Sequence, residues 1–144
     1  EAAWVAKEPQ DQVIGYGTQP VVKTIDTPYG TLEYWRAVNV FATSYSPCRL
    51  GIPNYCNDRT ASGALLKKGM VAFIRSWYNA MAGSQVYVPG YGLGLVADIG
   101  GGVSGRNWID LGYNDADYVP WSQNVTVYFL TPVPPADQIL YILP

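Results

Sequence analysis

The sequence of 144 residues contains no histidine. This absence excludes the serine and cysteine nucleophile sites that use histidine as a base, and it excludes zinc sites with histidine ligands. The two cysteines do not make a structural zinc site by themselves. An enzyme of this composition must therefore transfer protons with carboxylates, with tyrosine or lysine as lesser options, and we predict no metal or other cofactor.

A basic excess and a long apolar run are also missing. Nine Lys and Arg stand against 11 Asp and Glu, which gives a net charge of −2. Surfaces that bind nucleic acids or acidic membranes need an excess of positive charge, so we expect neither partner. No apolar run approaches the roughly 20 residues that cross a bilayer, so we expect no membrane span in this chain.

The only two cysteines, Cys48 and Cys56, enclose a short segment with one glycine and one proline. This composition is typical of a loop, and we predict a disulfide that closes it; the alternative is a pair of free thiols. A disulfide indicates an exported protein. The start of the sequence lacks both the basic residues and the apolar stretch of a signal peptide. We therefore expect a mature or trimmed fragment of a longer exported protein.

Strand-like segments dominate the chain from Tyr34 onward. Their β-branched and aromatic residues predict strands at 37–45, 71–74, 85–88, 93–97, 108–111 and 125–130. Helical signal is weak, with short helices predicted at 76–82 and at 115–118, the second capped by Asn114.

Six short strands with glycine-rich connections predict a small closed barrel over residues 34–131. Residues 1–33 then form an N-terminal arm with one or two edge strands. Residues 132–144 form a C-terminal extension, either a last edge strand or a packing arm.

The clearest candidates for catalytic residues lie between Val96 and Tyr113. Asp98 and Asp110 each adjoin an apolar, strand-like run, and the loop between them contains four glycines. Such a strand–loop–strand unit can bring both carboxylates to one end of a sheet, where their mutual repulsion raises the pKa of one of them. A carboxyl that keeps its proton near neutral pH suits a general acid at a glycosidic oxygen. The alternative is that both aspartates only accept hydrogen bonds from loop amides.

Six segments in order make the pattern more specific. They are Thr43-Ser44-Tyr45, Thr60-Ala61-Ser62-Gly63, Lys68-Gly69-Met70-Val71-Ala72, residues 83–92, Ala97-Asp98-Ile99-Gly100-Gly101 and Ile109-Asp110. Together they resemble the three-aspartate (3D) domain, whose relatives include the catalytic barrel of the membrane-bound lytic transglycosylase A family and bacterial stationary-phase and resuscitation-promoting wall proteins. The resemblance implies a double-psi β-barrel that acts on peptidoglycan and is extracellular or associated with the bacterial cell wall. Residues 8–18 also resemble the last strand of a glycine-marked, wall-associated extracellular domain that often precedes this barrel.

The resemblance also implies roles for individual residues. Asp98 matches the aspartate of the family's Asp-x-Gly-Gly element, in a loop with Gly100 and Gly101. Asp110 matches the later Ile-Asp, which resembles the catalytic acid and base of the related transglycosylases. Thr60 matches the Thr-Ala-x-Gly element and is expected to line the groove. The family's third aspartate is expected at Ile74, so one of the three is missing here.

Two further residues near these motifs are candidates for substrate binding. Tyr113 offers a ring on which a sugar can stack, with ordinary core packing as the alternative. Arg106, in the glycine loop, can meet a carboxylate of the glycan or of its stem peptide, with a solvated loop charge as the alternative.

The sequence thus predicts a lytic transglycosylase that cleaves the bond between N-acetylmuramic acid and N-acetylglucosamine, with Asp110 as general acid and base. Attack by water instead would make it a muramidase. The second hypothesis is a glycan-binding module on a barrel that has lost catalysis, which the substitution at Ile74 favours.

Overall fold

The computed structural model describes residues 20–142. Within this range the chain forms seven strands, two short α-helices and a final 3-10 turn. The strands are β1 (Lys23–Thr27), β2 (Gly30–Tyr45), β3 (Met70–Phe73), β4 (Gln85–Val88), β5 (Gly92–Ile99), β6 (Trp108–Gly112) and β7 (Ser122–Leu130). The helices are α1 (Arg75–Met81) and α2 (Ala136–Ile139), and the 3-10 turn is Leu140–Ile142. The first part of the predicted N-terminal arm, including residues 8–18, lies outside the described residues.

Six of the strands close into a barrel. Their order is β2-β6-β3-β5-β4-β7, and β7 pairs back onto β2, while β1 adds an extra strand outside the ring as a hairpin with β2. The pairs β2–β6 and β3–β5 are parallel, and the other pairs are antiparallel. The predicted mainly β class and the closed six-stranded barrel are confirmed. The pairing of β2 with β7 begins at Tyr34 opposite Leu130.

Two connections cross over neighbouring strands and define the barrel's topology. The first crossing loop, residues 46–69, leaves β2 and skips over β6 to reach β3. The second crossing loop, residues 100–107, leaves β5 and skips over β3 to reach β6. Each loop therefore passes across a strand that the other loop leads into or out of. This pair of interlocked crossovers is the double-psi arrangement.

All six predicted strands are present, but β2 begins seven residues and β7 three residues before the predicted start; α1 lies within one residue of its predicted span. The predicted helix at 115–118 is wrong, because residues 115–117 form only a turn. The Asp115 carboxylate does not cap a helix. It accepts hydrogen bonds from the Ser46 hydroxyl at 2.7 Å and from the Cys48 backbone N–H at 2.9 Å, both in the first crossing loop.

Apolar side chains fill the barrel. Successive residues of a strand point to opposite faces, so Ile109 and Leu111 of β6 are fully buried in the interior while Asp110 faces outward. The C-terminal extension packs against this core, with Ile142 fully buried in it.

A second, smaller apolar cluster of Tyr45, Leu66, Ala72 and Trp108 lies apart from the main core. We call it the outer cluster. None of the described helices has the length and apolar character needed to span a bilayer.

Candidate active site

One row of residues crosses four neighbouring strands and carries both candidate carboxylates. Thr43 of β2 pairs with Asp110 of β6, Asp110 pairs with Ala72 of β3, and Ala72 pairs with Asp98 of β5. Strands lie about 4.8 Å apart, so the two aspartate Cα atoms are separated by roughly 10 Å, with Ala72 between them. The small methyl group of Ala72 leaves the space between the two carboxylates open.

A β-bulge brings Asp98 into this row. Val71 pairs with Val96, but the next residue, Ala72, pairs with Asp98, so that Ala97 is skipped. In an unbroken register Ala97 would stand opposite Ala72, and Asp98 would point to the other face of the sheet. The extra residue therefore turns Asp98 toward the face on which Asp110 lies, a common use of bulges beside active sites.

Three residues of this row, Asp110, Ala72 and Asp98, form the floor of a cavity of about 400 Å³. One wall comes from the first crossing loop, at Arg49, Leu50 and Gly51, and another from the second crossing loop, at residues 100–102. The rest of the lining consists of Tyr45 and Trp108 of the outer cluster together with Ser44 and Ile99. The two interlocked loops thus enclose the carboxylates between them.

Asp98 is surrounded by hydrogen-bond donors. Its Oδ2 accepts a bond from the Tyr45 hydroxyl at 2.8 Å, and its Oδ1 accepts bonds from the backbone N–H groups of Ala61 and Ile99 at 2.8 and 2.9 Å. Burial, followed by the neighbouring Asp98, raises the pKa of Tyr45, so this phenol keeps its proton and acts as the donor. Three donors thus converge on this side chain and fix its orientation. Asp98 therefore binds loop amides, as the simpler hypothesis expected, and it also faces the cavity.

Asp110 has a different environment. Its Oδ1 accepts one bond from a side chain, the Thr43 hydroxyl at 2.9 Å, and that hydroxyl in turn accepts a bond from the Trp108 indole N–H at 2.9 Å. Burial raises the pKa of Asp110 to about 7; the Thr43 bond opposes the rise, and the charge of Asp98 adds to it. Asp110 is therefore divided between its acid and its base form near neutral pH, which suits a group that must donate and then accept a proton.

The other glycine-loop and turn residues of the prediction lie close to this pair. Gly100 and Gly101 line the cavity. A Cβ at Gly100 would overlap the Trp108 ring, whereas one at Gly101 would meet open space. Thr60 is buried, and its hydroxyl bonds to Ser62 and to the Ala64 carbonyl. It does not line the cavity, but it precedes Ala61, whose N–H binds Asp98.

Arg106 and Tyr113 lie away from the carboxylates. The Arg106 guanidinium stacks over the Phe41 ring in a neighbouring pocket. The Tyr113 side chain is 3% exposed and belongs to the barrel core, where its ring packs edge-on against Tyr91 and its hydroxyl accepts a bond from the Trp121 indole N–H. Its ring therefore has the packing role that was the alternative to sugar stacking.

The predicted disulfide is present and joins Cys48 to Cys56. It closes the segment that supplies Arg49, Leu50 and Gly51 to the cavity wall. Arg49 also bonds to the Asp115 carbonyl at 3.1 Å, lies 3.5 Å from the Asp115 carboxylate and stacks on the Tyr118 ring. A covalent bond and a cluster of polar contacts thus hold this wall in place.

The position expected to carry a third aspartate has an apolar role in the structure. Ile74 packs against both the barrel core and the outer cluster. A Cβ on Gly102 would stand 2.8 Å from Ile74 Cγ2, so the isoleucine lies directly under the second crossing loop. The site therefore contains two carboxylates. Among residues 20–142 no group of three or more His, Cys, Asp or Glu is placed to hold a metal ion.

Sequence reasoning assigned no role to Thr43, Tyr45 or Trp108, which hold the two aspartates. Thr43 and Tyr45 belong to the first of the six matching segments, so that segment carried a signal for them. Trp108 directly precedes Ile109-Asp110, but nothing in the sequence indicates that its indole N–H reaches Thr43.

Comparison of the chain with family models, with curated proteins and with solved structures found no match. Membership of the 3D domain family stays a prediction that rests on the six sequence segments.

Proposed function

We propose that this protein is a lytic transglycosylase that cleaves the glycan strands of peptidoglycan. The observation that carries the proposal is the state of Asp110. This partly buried carboxyl has a pKa of about 7 and lines an open cavity, and a second carboxylate stands two strands away in the same row. A carboxyl that exchanges its proton near neutral pH is what a glycosidic bond requires of a general acid.

In the proposed first step the protonated Asp110 gives its proton to the glycosidic oxygen between N-acetylmuramic acid and N-acetylglucosamine. The bond from the muramoyl anomeric carbon to that oxygen breaks, and the N-acetylglucosamine end leaves with a hydroxyl group. Positive charge develops at the anomeric carbon, and the carboxylate of Asp98 favours this charge electrostatically.

In the second step the 6-hydroxyl of the same muramoyl residue attacks its anomeric carbon. Asp110, now a carboxylate, accepts the hydroxyl proton and returns to its acid form. The product is a 1,6-anhydromuramoyl end, and no water is consumed. One carboxyl serves both steps because the two proton transfers follow each other. The bond from the Thr43 hydroxyl helps to orient this carboxyl.

The glycines of the second crossing loop suit this substrate. Gly101 presents backbone with open space where a side chain would stand, so a bulky sugar ring can approach the loop closely. The disulfide is consistent with a location outside the cell, where peptidoglycan lies. Both features support a glycan substrate without identifying its length.

A second candidate function is a glycan-binding module without catalysis. The specific observation in its favour is Ile74, which fills with apolar contacts the position where the family is expected to carry its third aspartate. In this case Asp98 and Asp110 would bind sugar hydroxyls and leave the glycosidic bond intact.

The test is mass spectrometry of the soluble fragments released from purified sacculi by the native protein, by Asp110→Asn and by Asp137→Asn. Asp137 is an exposed residue of α2 and serves as the control. Release of anhydromuramoyl ends by the native protein and Asp137→Asn but not by Asp110→Asn supports the proposal. Reducing ends in their place mean that water is the nucleophile. No release by any of the three, with all of them sedimenting with sacculi, overturns the enzyme and supports the binding module.

A further inference from the structure

A second pocket lies on the outside of the barrel beside the candidate active site. Its volume is about 320 Å³, and it is lined by Asn39, Phe41, Arg106, Asn107 and Asn124. We call it the arginine pocket. Its lining consists of one cation, three amides and one aromatic ring, a composition that suits a polar, negatively charged ligand and not an apolar one.

The backbone on both sides of Arg106 is fixed. The Arg106 N–H donates to the Val103 carbonyl at 3.1 Å and closes a tight turn. One residue later, the Asn107 carbonyl accepts a bond from the Phe41 N–H at 2.8 Å, which ties the second crossing loop to β2. The backbone of Arg106 is therefore held in place, so ligand binding costs little additional conformational entropy there.

The guanidinium of Arg106 lies with its Cζ 4.4 Å from the centre of the Phe41 ring. Stacking uses the flat face of the guanidinium and leaves the N–H groups at its edge free to form a two-point contact with a carboxylate. Within residues 20–142 this guanidinium forms no ion pair. No carboxylate of the described residues therefore neutralises its positive charge.

The arginine pocket adjoins the cavity that holds the aspartates. Phe41 of β2 pairs directly with Trp108 of β6, and Trp108 lines that cavity. Phe41 also packs against the outer cluster to which Trp108 belongs. Two residues farther along the same strands, Thr43 pairs with Asp110. Because two residues of a strand span about 7 Å, a ligand in the arginine pocket lies about one sugar unit from Asp110.

We propose that the arginine pocket is a subsite for a carboxylate of the substrate, with Arg106 as the residue that recognises it. The inference rests on the proposed function, because that function places a muramoyl unit at Asp110. Muramoyl units carry a carboxylate from one of two sources: the free acid of the lactyl group where no peptide is attached, or an acid of the stem peptide. The side-chain amides of Asn39, Asn107 and Asn124 supply donors and acceptors around the carboxylate.

The test uses Asp110→Asn as the parent protein, so that ligands bind without being cleaved. Three soluble ligands are compared by titration calorimetry: the disaccharide of N-acetylglucosamine and N-acetylmuramic acid with its free lactyl acid, the same disaccharide carrying a stem peptide, and the neutral disaccharide of N-acetylglucosamine alone. Arg106→Gln is expected to weaken binding of one or both acidic ligands about tenfold or more and to leave the neutral disaccharide unchanged. The acidic ligand that loses affinity identifies the source of the carboxylate.

Two matched variants sharpen the result. Arg106→Lys keeps the charge but loses the two-point contact, so we expect an affinity between those of the parent and Arg106→Gln. Arg75→Gln removes an exposed arginine at the start of α1 and is expected to change nothing. In an NMR spectrum of the parent protein, we expect the side-chain amide signals of Asn39 and Asn124 to shift when an acidic ligand is added and not when the neutral disaccharide is added.

Equal affinity of the parent and Arg106→Gln for all three ligands overturns the subsite, as does an equal loss for the neutral disaccharide. This outcome is separate from failure of the proposed function, which is measured by release of fragments from sacculi. If the protein releases no fragments but still binds acidic ligands through Arg106, the subsite is supported and the proposed transglycosylase activity is overturned.

Discussion

The two faces of strand β6 have opposite compositions. Ile109 and Leu111 point into the barrel and are fully buried, whereas Asp110 between them points outward into a cavity under two loops. The same contrast holds on β3, where Ala72 lines the cavity between the fully buried Val71 and Phe73. The interior supplies apolar burial, and the outer face carries polar groups whose burial costs free energy. The inward face of these strands therefore stabilises the fold, while the outward face carries the polar groups of the candidate site.

The walls over the outer face are held by two different means. The first crossing loop carries a disulfide and is anchored to Asp115, while the second relies on glycines that fit closely under Trp108 and over Ile74. The first wall is therefore restrained by a covalent bond, and the second by close packing that only glycines permit. Each of the following predictions acts on one part of this arrangement.

The largest effect on stability is expected from Ile109→Ala on the inward face. Removing three carbons from a fully buried side chain costs transfer free energy and leaves a cavity, so the free energy of unfolding should fall by about 3–4 kcal/mol. Urea denaturation measures it. A loss below about 1 kcal/mol would contradict the assignment of this face to the stabilising core.

The next effect is expected from the double variant Cys48→Ser, Cys56→Ser. In the chain-entropy description a loop of this length contributes about 2–3 kcal/mol, because the crosslink restricts the unfolded chain. The melting temperature should fall, and fragment release should fall with it, because the wall at Arg49 and Leu50 loosens. Reductant should lower the melting temperature of the native protein and leave that of the double variant unchanged.

Gly100→Ala tests the wall that depends on close packing. The added Cβ would overlap the Trp108 ring and displace the indole that bonds to Thr43, at an expected cost of about 1–3 kcal/mol in the free energy of unfolding. Gly101→Ala is the matched control for stability, because its Cβ would meet open space. Similar melting temperatures for the two variants would show that the second crossing loop is not packed as described.

Asp110→Asn tests the cost of the outward carboxyl. Its pKa rises from 3.8 in an ordinary environment to about 7 in the fold, so the folded protein holds a proton between these values that the unfolded chain releases. The native protein should therefore lose stability as pH rises from about 4 to about 7, whereas the variant should not. At pH 8 the variant should be more stable by about 1 kcal/mol or more. Melting curves at pH 4 and pH 8 measure the difference.

The sequence made the strands and one carboxylate pair predictable, because their signals are local. Alternation places Asp110 between Ile109 and Leu111, and a glycine run beside Asp98 indicates a close approach. The bulge at Ala97 could not be predicted, since register depends on which residues of β3 and β5 come to face each other. The bonds from Tyr45 to Asp98 and from Ser46 to Asp115 could not be predicted either, because they join residues more than 50 positions apart.

Misplaced expectations have similar causes. Residues 114–118 have the sequence of a capped helix start, but the bonds from Asp115 to a distant loop outweigh the weak preference of so few residues for a helix. Tyr113 lies next to the motif in sequence and directly follows β6, yet its ring lies in the barrel core and packs against Tyr91. Proximity along the chain does not determine the face on which a side chain lies.

The interlocked crossing loops have a consequence for the order of folding. Each loop crosses a strand that the other loop leads into, so the cavity is complete only when both crossovers are in place. Proteins dominated by such contacts between distant residues fold slowly. Asp98 and Asp110 take up their observed arrangement only when β5, β3 and β6 are paired, so we expect a partly folded chain to lack this arrangement.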